Sequence, residues 1–446
     1  MQQSRVETIL VYSVLVCTLS LAGCGEVARL PVSAGMGPQP TLPPPKKTLI
    51  PTVHIAPAKG WPVGGKPVVA EGLAVNAYAT GLDHPRWLYT LPNGDVLVAE
   101  TSAPPKPEDS SGIYGWIMSK IMKRAGASVP SANRITLLRD ADGDGVAETR
   151  TIFLRDLNSP FGMTLVGNTF YVANTDAVVR FPYKEGTMQI TEPGVRVASL
   201  PAGPINHHWT KNVIASQDGS RLYVTTGSNS NVAERGMENE IDRAAILEID
   251  LASGHSKVFA SGLRNPNGLA WNPQSGELWT VVNERDALGS DLVPDYMTSV
   301  KENGFYGWPY SYYGQHVDER VKPPRPDLVA KAIVPDYALG AHTASMGLAF
   351  YEGNLLPKRF VGGAFIGQHG SWNRKPRSGY KVIFVPFTNG HPTSVPEDIL
   401  TGFVNADGEA LGRPVGVVTD KPGALLVADD VGNIVWRVTR ASTASN

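Results

Sequence analysis

Residues 264–284 read RNPNGLAWNPQSGELWTVVNE. An arginine–asparagine pair opens a short apolar segment, Asn-Pro-Gln-Ser-Gly supplies a polar turn, and a second β-rich segment closes on another polar pair. The same phrase recurs as HPRWLYTLPNGDVLVAET at 84–101, SPFGMTLVGNTFYVANT at 159–175, HWTKNVIASQDGSRLYVTTGSN at 208–229, HTASMGLAFYEGNLLPKRFVGGAFIGQ at 342–368 and RPVGVVTDKPGALLVADD at 413–430. From residue 70 onward no long stretch carries a helical period. A four-stranded blade cannot bury both of its faces alone, whereas blades stacked in a ring can. Six phrases therefore predict an all-β, six-bladed β-propeller. A pair of β-sandwiches would leave the special polar residue at each phrase's start and end unexplained. In a propeller the loops at one mouth converge, so His84, His208, Arg264, His342 and Arg413 are expected to meet there.

The 446 residues carry 40 Lys and Arg against 41 Asp and Glu, a formal net charge of −1. That balance lacks the basic footprint of a nucleic-acid binder. The 46 glycines and 36 prolines fit a chain of many turns. Nicotinamide chemistry is disfavoured because no dinucleotide glycine motif or phosphate loop is present. His-Glu-x-x-His, Gly-x-Ser-x-Gly and the Cys-x-x-Cys-His of a c-type haem are missing as well. Behind Arg5, the apolar run from Ile9 to Gly23 is short for a membrane span and suits a secretory signal. It ends Leu21-Ala22-Gly23-Cys24, which resembles the bacterial lipobox. Residues 1–23 are thus expected to be a lipoprotein signal peptide, with Cys24 lipid-modified at the periplasmic face of a bacterial membrane. Residues 24–66, rich in proline, read as a flexible linker. The propeller is expected over 67–441, with an amphipathic helical insertion near 110–125.

Several groups could carry chemistry. Asp140, Asp142, Asp144 and Glu148 surround two glycines in a short loop of the kind that wraps oxygens round Ca²⁺, although the spacing departs from an EF-hand. His207 and His208 adjoin Trp209. Neighbouring strand residues face opposite ways, so one of the two is expected to act as a general base. Arg264 with Asn265, Arg374 and Arg413 offer fork donors for carboxylates or carbonyls. With Trp209 and Trp372 for stacking, they suggest a flat, polyanionic aromatic ligand.

The order Asn-His-His-Trp-Thr-Lys-Asn (206–212), Leu-Arg-Asn-Pro-Asn-Gly-Leu-Ala (263–270) and Asn-Gly-Phe-Tyr-Gly-Trp-Pro (303–309) resembles the glucose/sorbosone dehydrogenase family of soluble quinoproteins, nearer its sorbosone branch. The resemblance implies a six-bladed propeller holding pyrroloquinoline quinone (PQQ) and Ca²⁺. It implies His208 as the base, or His207 with a different gap placement. Arg264, Asn265, Arg374, Arg413, Trp372 and His342 would serve the quinone. Ca²⁺ would lie on the loop around Arg285 and Asp286, with a structural site near Asp295 and Tyr306. The activity implied is oxidation of a sugar or aldehyde, with electrons passed to an external quinone or cytochrome. Two other readings remain open at this stage: a Ca²⁺-dependent hydrolase of the gluconolactonase kind, and a non-catalytic envelope propeller.

Overall fold

The computed structural model describes residues 26–46, 52–105 and 120–442. Six antiparallel sheets form a closed ring. Blade 1 is Pro85–Thr90, Val96–Glu100, Arg134–Arg139 and Thr149–Leu154, from the axis outward. Blade 2 is Met163–Val166, Thr169–Ala173, Ala177–Pro182 and Val195–Ser199, and blade 3 is Val213–Ala215, Arg221–Thr226, Ala245–Asp250 and Ser256–Ser261. Blade 4 starts with Pro266–Trp271, Leu278–Val282, Pro294–Ser299 and Tyr337–Ala341; blade 5 starts with Ser345–Phe350, Ala364–Gln368, Lys381–Val385 and Glu397–Thr401. Blade 6 joins Pro414–Thr419, Leu425–Asp429 and Ile434–Arg440 to Leu73–Ala79 from the other end of the chain, which closes the ring.

Each blade lies between two others, so both of its faces are covered. The second strands Val96–Glu100, Leu278–Val282, Ala364–Gln368 and Leu425–Asp429 are buried at every position, and they read as continuous apolar runs rather than alternating ones. The inner strands approach one another so closely that glycine is required. A Cβ on Gly347 would sit 2.2 Å from the Val415 carbonyl oxygen of blade 6, and one on Gly268 would sit 2.7 Å from backbone atoms of blade 5.

The expectation of a flexible linker over 24–66 needs correction. Its described residues lie against blades 4, 5 and 6. Met36–Gly37 adds a fifth strand to blade 4, and the following Val68–Val69 does the same for blade 5. Trp61 packs edge-on against Phe403 and Trp436 and donates to Asp429. Proline lacks the N–H of a ladder donor, but edge strands two residues long tolerate it nearby. Of the helical insertion, residues 120–124 are helical and the remainder falls outside the described residues, as do the signal peptide and Cys24.

Strands run alternately away from and back to the mouth. The loops entering each inner strand and those between second and third strands therefore share one face of the ring. The hairpin carrying Asp140 to Glu148 joins the third and fourth strands of blade 1, so it projects from the opposite face.

Candidate active site

His208 stands at the mouth where the chain enters blade 3. Its Nδ1 lies 2.7 Å from the Ser228 carbonyl oxygen and 3.2 Å from Ser228 Oγ. A carbonyl only accepts, so Nδ1 carries the proton and the neutral ring keeps its lone pair on Nε2. Gly227 brings the next wall close: a Cβ there would meet His208 Cβ at 2.5 Å and Asn265 Oδ1 at 2.3 Å. His208 and the Arg264–Asn265 pair are thus neighbours although 56 residues separate the two openings in sequence. His207 is exposed, its ring edge-on to His208 at 4.7 Å. Beneath them Lys211 is fully buried, with Nζ 3.3 Å from the carbonyl oxygens of both His208 and Trp209. Burial, reinforced by Arg243, pushes its amine well below the usual range. Nothing in the sequence marks Lys211 as buried, because an isolated lysine in a polar phrase looks like surface charge.

Arg264 is 4% exposed and donates to the Glu284 carbonyl oxygen (2.6 Å), Asn231 Oδ1 (3.0 Å) and Asp286 Oδ2 (3.3 Å). The other Asp286 oxygen lies 3.5 Å from His342 Nδ1, and His342 Nε2 points at the Gly289 carbonyl oxygen at 3.0 Å. Burial works against the charged forms of Asp286 and His342. Their mutual contact, with Arg264 beside it, outweighs burial, so the carboxyl is held below its ordinary range and the imidazole above. With acceptors at both nitrogens, His342 is built to be an imidazolium.

The far wall was only partly foreseen. Arg86 of blade 1 lies over the rings of Trp209 (5.8 Å) and Phe161 (6.0 Å), which links it to the His208 side. Its Nη1 donates to Asp430 Oδ2 at 2.9 Å; His369 Nε2 is 2.8 Å from the same oxygen, and His84 Nε2 is 3.4 Å away. Burial holds His369 below its normal range and pushes His84 down to about 4, so both rings are neutral at pH 7. Arg413, also buried, donates to the Ala56 carbonyl oxygen of the N-terminal segment. Arg86, His369 and Asp430 belong to the mouth yet were not singled out, although Asp430 ends its phrase and Arg86 stands two residues after His84.

Other expected residues do not open into the mouth. The Arg374 guanidinium turns to the Leu30 and Pro376 carbonyl oxygens, with Asp291 at 3.5 Å. Trp372 is half-buried beside the same segment, its carbonyl accepting from the His54 N–H. Arg285 is an internal cation, paired with Glu284 and Asp318 and donating to the Pro309 and Ser311 carbonyl oxygens. On the loop expected to hold Ca²⁺, the Glu284 carbonyl oxygen takes Arg264, the Asp286 carbonyl oxygen takes Asn231 and Arg320, and the Asp286 carboxylate takes Arg264 and His342. Arg264 on one Asp286 oxygen and His342 on the other compete with Ca²⁺ for this carboxylate, so the loop fits the metal poorly. Asp295 accepts from the Glu284 and Ser345 N–H groups and from Thr343 Oγ1, and burial pushes its carboxyl up to about 6. The Tyr306 hydroxyl, raised to about 12 by burial, is engaged with Ser299 and Lys301. Both are thus engaged by protein partners. Asp140, Asp142, Asp144 and Glu148 do gather, with ligand oxygens within 4.8 Å of one another, but on the face remote from the mouth.

The mouth fits a polyanionic cofactor. Arg86 Nε, Arg264 Nε and Arg413 Nε are buried donors without a hydrogen-bond partner, and Asn265 Oδ1 is a buried acceptor without one. Such orphans cost roughly 1–3 kcal/mol each unless a ligand meets them. The residues that would hold PQQ are therefore Arg264, Asn265, Arg413 and Arg86, on opposite sides of the axis.

Comparison with known proteins places this geometry. A relative from Borreliella burgdorferi, itself uncharacterised, is 30% identical over 305 residues, covering 66% of this chain and 79% of that protein. The pyrroloquinoline quinone-dependent pyranose dehydrogenase of Coprinopsis cinerea is 23% identical across 84% of this chain, which spans 54% of that enzyme's length. The holo PQQ domain of that enzyme superposes with a TM-score of 0.66 at 20% identity, over 84% of this chain and 97% of the domain. A family AA12 protein of Trichoderma reesei superposes with a TM-score of 0.67 at 20% identity, over 86% of this chain and 98% of that one. At these identities the superpositions establish the six-bladed fold. The sequence pattern described as TrAA12-like matches residues 128–303 and 328–441, which include His208, the Arg264–Asn265 pair, His342, His369 and Asp430. Fold, mouth and pattern agree, and the chain belongs to the TrAA12-like family.

Proposed function

We propose that the chain is a PQQ-dependent dehydrogenase that oxidises a sugar hydroxyl, or the hydrate of a sugar aldehyde. The observation carrying this reading is the juxtaposition of His208 with Arg264 and Asn265 at the axial mouth. PQQ, when bound, would supply the acceptor for the hydride, which carries both electrons of the oxidation. The rest falls to side chains. His208 Nε2 takes the proton of the substrate hydroxyl while the Ser228 carbonyl fixes the tautomer and steadies the imidazolium that forms. A positioned base of this kind contributes about 10²–10⁴-fold. Arg264, Arg413 and Arg86 neutralise carboxylates, and Asn265 Oδ1 accepts a hydrogen bond from the cofactor or substrate. The His342–Asp286 pair holds Arg264 in place. Lys211 props the His208–Trp209 backbone from below.

Ca²⁺ enters this reading only as a ligand of the 140–148 hairpin and has no part in the chemistry at the mouth. Electrons leave to an external acceptor, and lipid on Cys24 keeps the protein beside a respiratory membrane. The test is dye reduction by the PQQ-loaded protein with a panel of sugars and aldehydes. Sugar-dependent reduction that needs both PQQ and His208 supports the proposal. Lactone hydrolysis without quinone, or failure to bind PQQ, refutes it.

A further inference from the structure

We infer that the mouth face of the propeller lies against a lipid bilayer, held there by the first residues of the mature chain. This rests on the reading of Cys24 as lipid-modified and adds to it an orientation. The chain is pinned almost as soon as it leaves that cysteine. The Glu26 carboxylate, its side chain 6% exposed, accepts from Lys46 Nζ (2.9 Å) and the Ser290 N–H (2.6 Å), and its carbonyl accepts from Ser290 Oγ (3.0 Å) and Thr52 Oγ1 (3.2 Å). The Ala28 N–H donates to the Lys375 carbonyl oxygen, and the Arg29 N–H to Asp291 Oδ2. Arg374 grips the Leu30 carbonyl. Ser290 and Asp291 follow Asp286 in the blade 4 mouth loop, and Arg374 and Lys375 follow His369 in the blade 5 mouth loop.

Cys24 is two peptide units from Glu26, so their Cα atoms are at most about 7.6 Å apart. A free tether of forty residues would instead span roughly 35 Å on average and leave the orientation open. The opposite face lies a strand's length further off, roughly 20 Å for six residues. A lipid on Cys24 therefore reaches the membrane only with the blade 4–5 rim turned toward it. That rim suits the occupant. Val27 and Arg29 are exposed beside the exit point, and Lys375 is half-exposed next to them. Basic residues at this position are drawn to an anionic lipid surface. A cleft of about 280 Å³ lined by Pro105, Asn158, Asp176 and Asn206 lies at the blade 1–3 part of the mouth, away from the exit point.

The experiment uses the full lipidated protein in vesicles of phosphatidylethanolamine and phosphatidylglycerol containing an acceptor-labelled lipid. The chain has two cysteines, Cys17 in the signal and Cys24 under lipid, so an introduced thiol is labelled alone. Ala287→Cys marks the mouth face and Asp142→Cys the opposite face; both positions are exposed. Energy transfer to the lipid should be at least twofold more efficient from 287 than from 142. Inserting twenty Gly/Ser residues between Gly25 and Glu26 should bring the two to parity. Equal transfer, or the reverse order, with lipid confirmed on Cys24 by the mass of the N-terminal peptide overturns the orientation alone. A mature protein without lipid on Cys24 overturns the anchor and the orientation together.

Discussion

Replacing His208 with alanine separates chemistry from architecture at this mouth. The side chain is half-buried and makes a 2.7 Å hydrogen bond through Nδ1 to the Ser228 carbonyl oxygen, which also receives the His208 N–H at 3.4 Å. Truncation therefore removes about 1 kcal/mol of hydrogen bonding without stranding the carbonyl. In a chain of this length that lowers Tm by only a few degrees. On the proposed mechanism the loss of the base is far larger, about 10²–10⁴ in kcat, or roughly 3–5 kcal/mol in the barrier. Arg264, Asn265 and Arg413 are untouched, so PQQ should bind within threefold of the parent affinity. The assay is dye-coupled turnover at saturating PQQ, with cofactor affinity measured separately by fluorescence quenching. His207→Ala, at an exposed position, should change kcat by less than about threefold. If His208→Ala keeps kcat within tenfold of the parent, or if His207→Ala does the greater damage, the assignment of the base fails.

Three further outcomes follow from the same geometry. Arg264→Lys keeps the charge but cannot span the Glu284 carbonyl, Asn231 and Asp286 together. One lost charge-assisted bond, roughly 1.5–3 kcal/mol, should raise the Kd for PQQ at least tenfold in a quenching titration, and an unchanged Kd would remove Arg264 from the cofactor site. Asp286→Asn removes the counter-charge of His342, whose folded-state pKa is raised. The pair's stabilisation is fully present below about pH 6.5 and is lost as pH rises through the raised value. Since Asp286 is 43% exposed, the pair contributes no more than about 1 kcal/mol, and calorimetry should find a shallower fall of Tm above pH 6.5 in the variant. An unchanged slope would mean that His342 does not titrate against Asp286. Gly347→Ala drives a Cβ to 2.2 Å from the Val415 oxygen, a backbone atom that cannot swing aside. The cost should be at least 1–3 kcal/mol in a denaturant melt, and a neutral result would mean that the inner strands are free to separate.

The ring was legible because each phrase holds the two strands nearest the axis, which are the most buried and the most regular. The outer strands, such as Val195–Ser199 with no buried position, carry little apolar signal and had to be supplied by the architecture. His208 and Arg264 were found because they open phrases. Arg86 and His369 escaped because their roles depend on what faces them: a cation over Trp209, an imidazole on Asp430. The glycine shared by the inner strands at 268, 347 and 416 was a usable sign of close approach that composition alone blurred among 46 glycines. The largest misreading was the N-terminal segment. Proline-rich composition suggests a free linker, but its backbone oxygens at Leu30 and Ala56 are what Arg374 and Arg413 hold. Hydrogen bonds made by carbonyls leave no mark on side-chain identity, so neither the wrap nor the diversion of Arg374 could be seen beforehand.

The sixth blade takes its outermost strand, Leu73–Ala79, from the beginning of the chain and its other three from the end. During synthesis the first of these strands must wait, its ladder edge unsatisfied, for most of the protein to be made. Export in an unfolded state would suit such a molecule, because the two halves of the clasp then reach the same compartment before either commits. Once snapped shut, the clasp ties together two stretches more than 350 residues apart in sequence, so fraying at either terminus loosens the whole circle rather than a single blade.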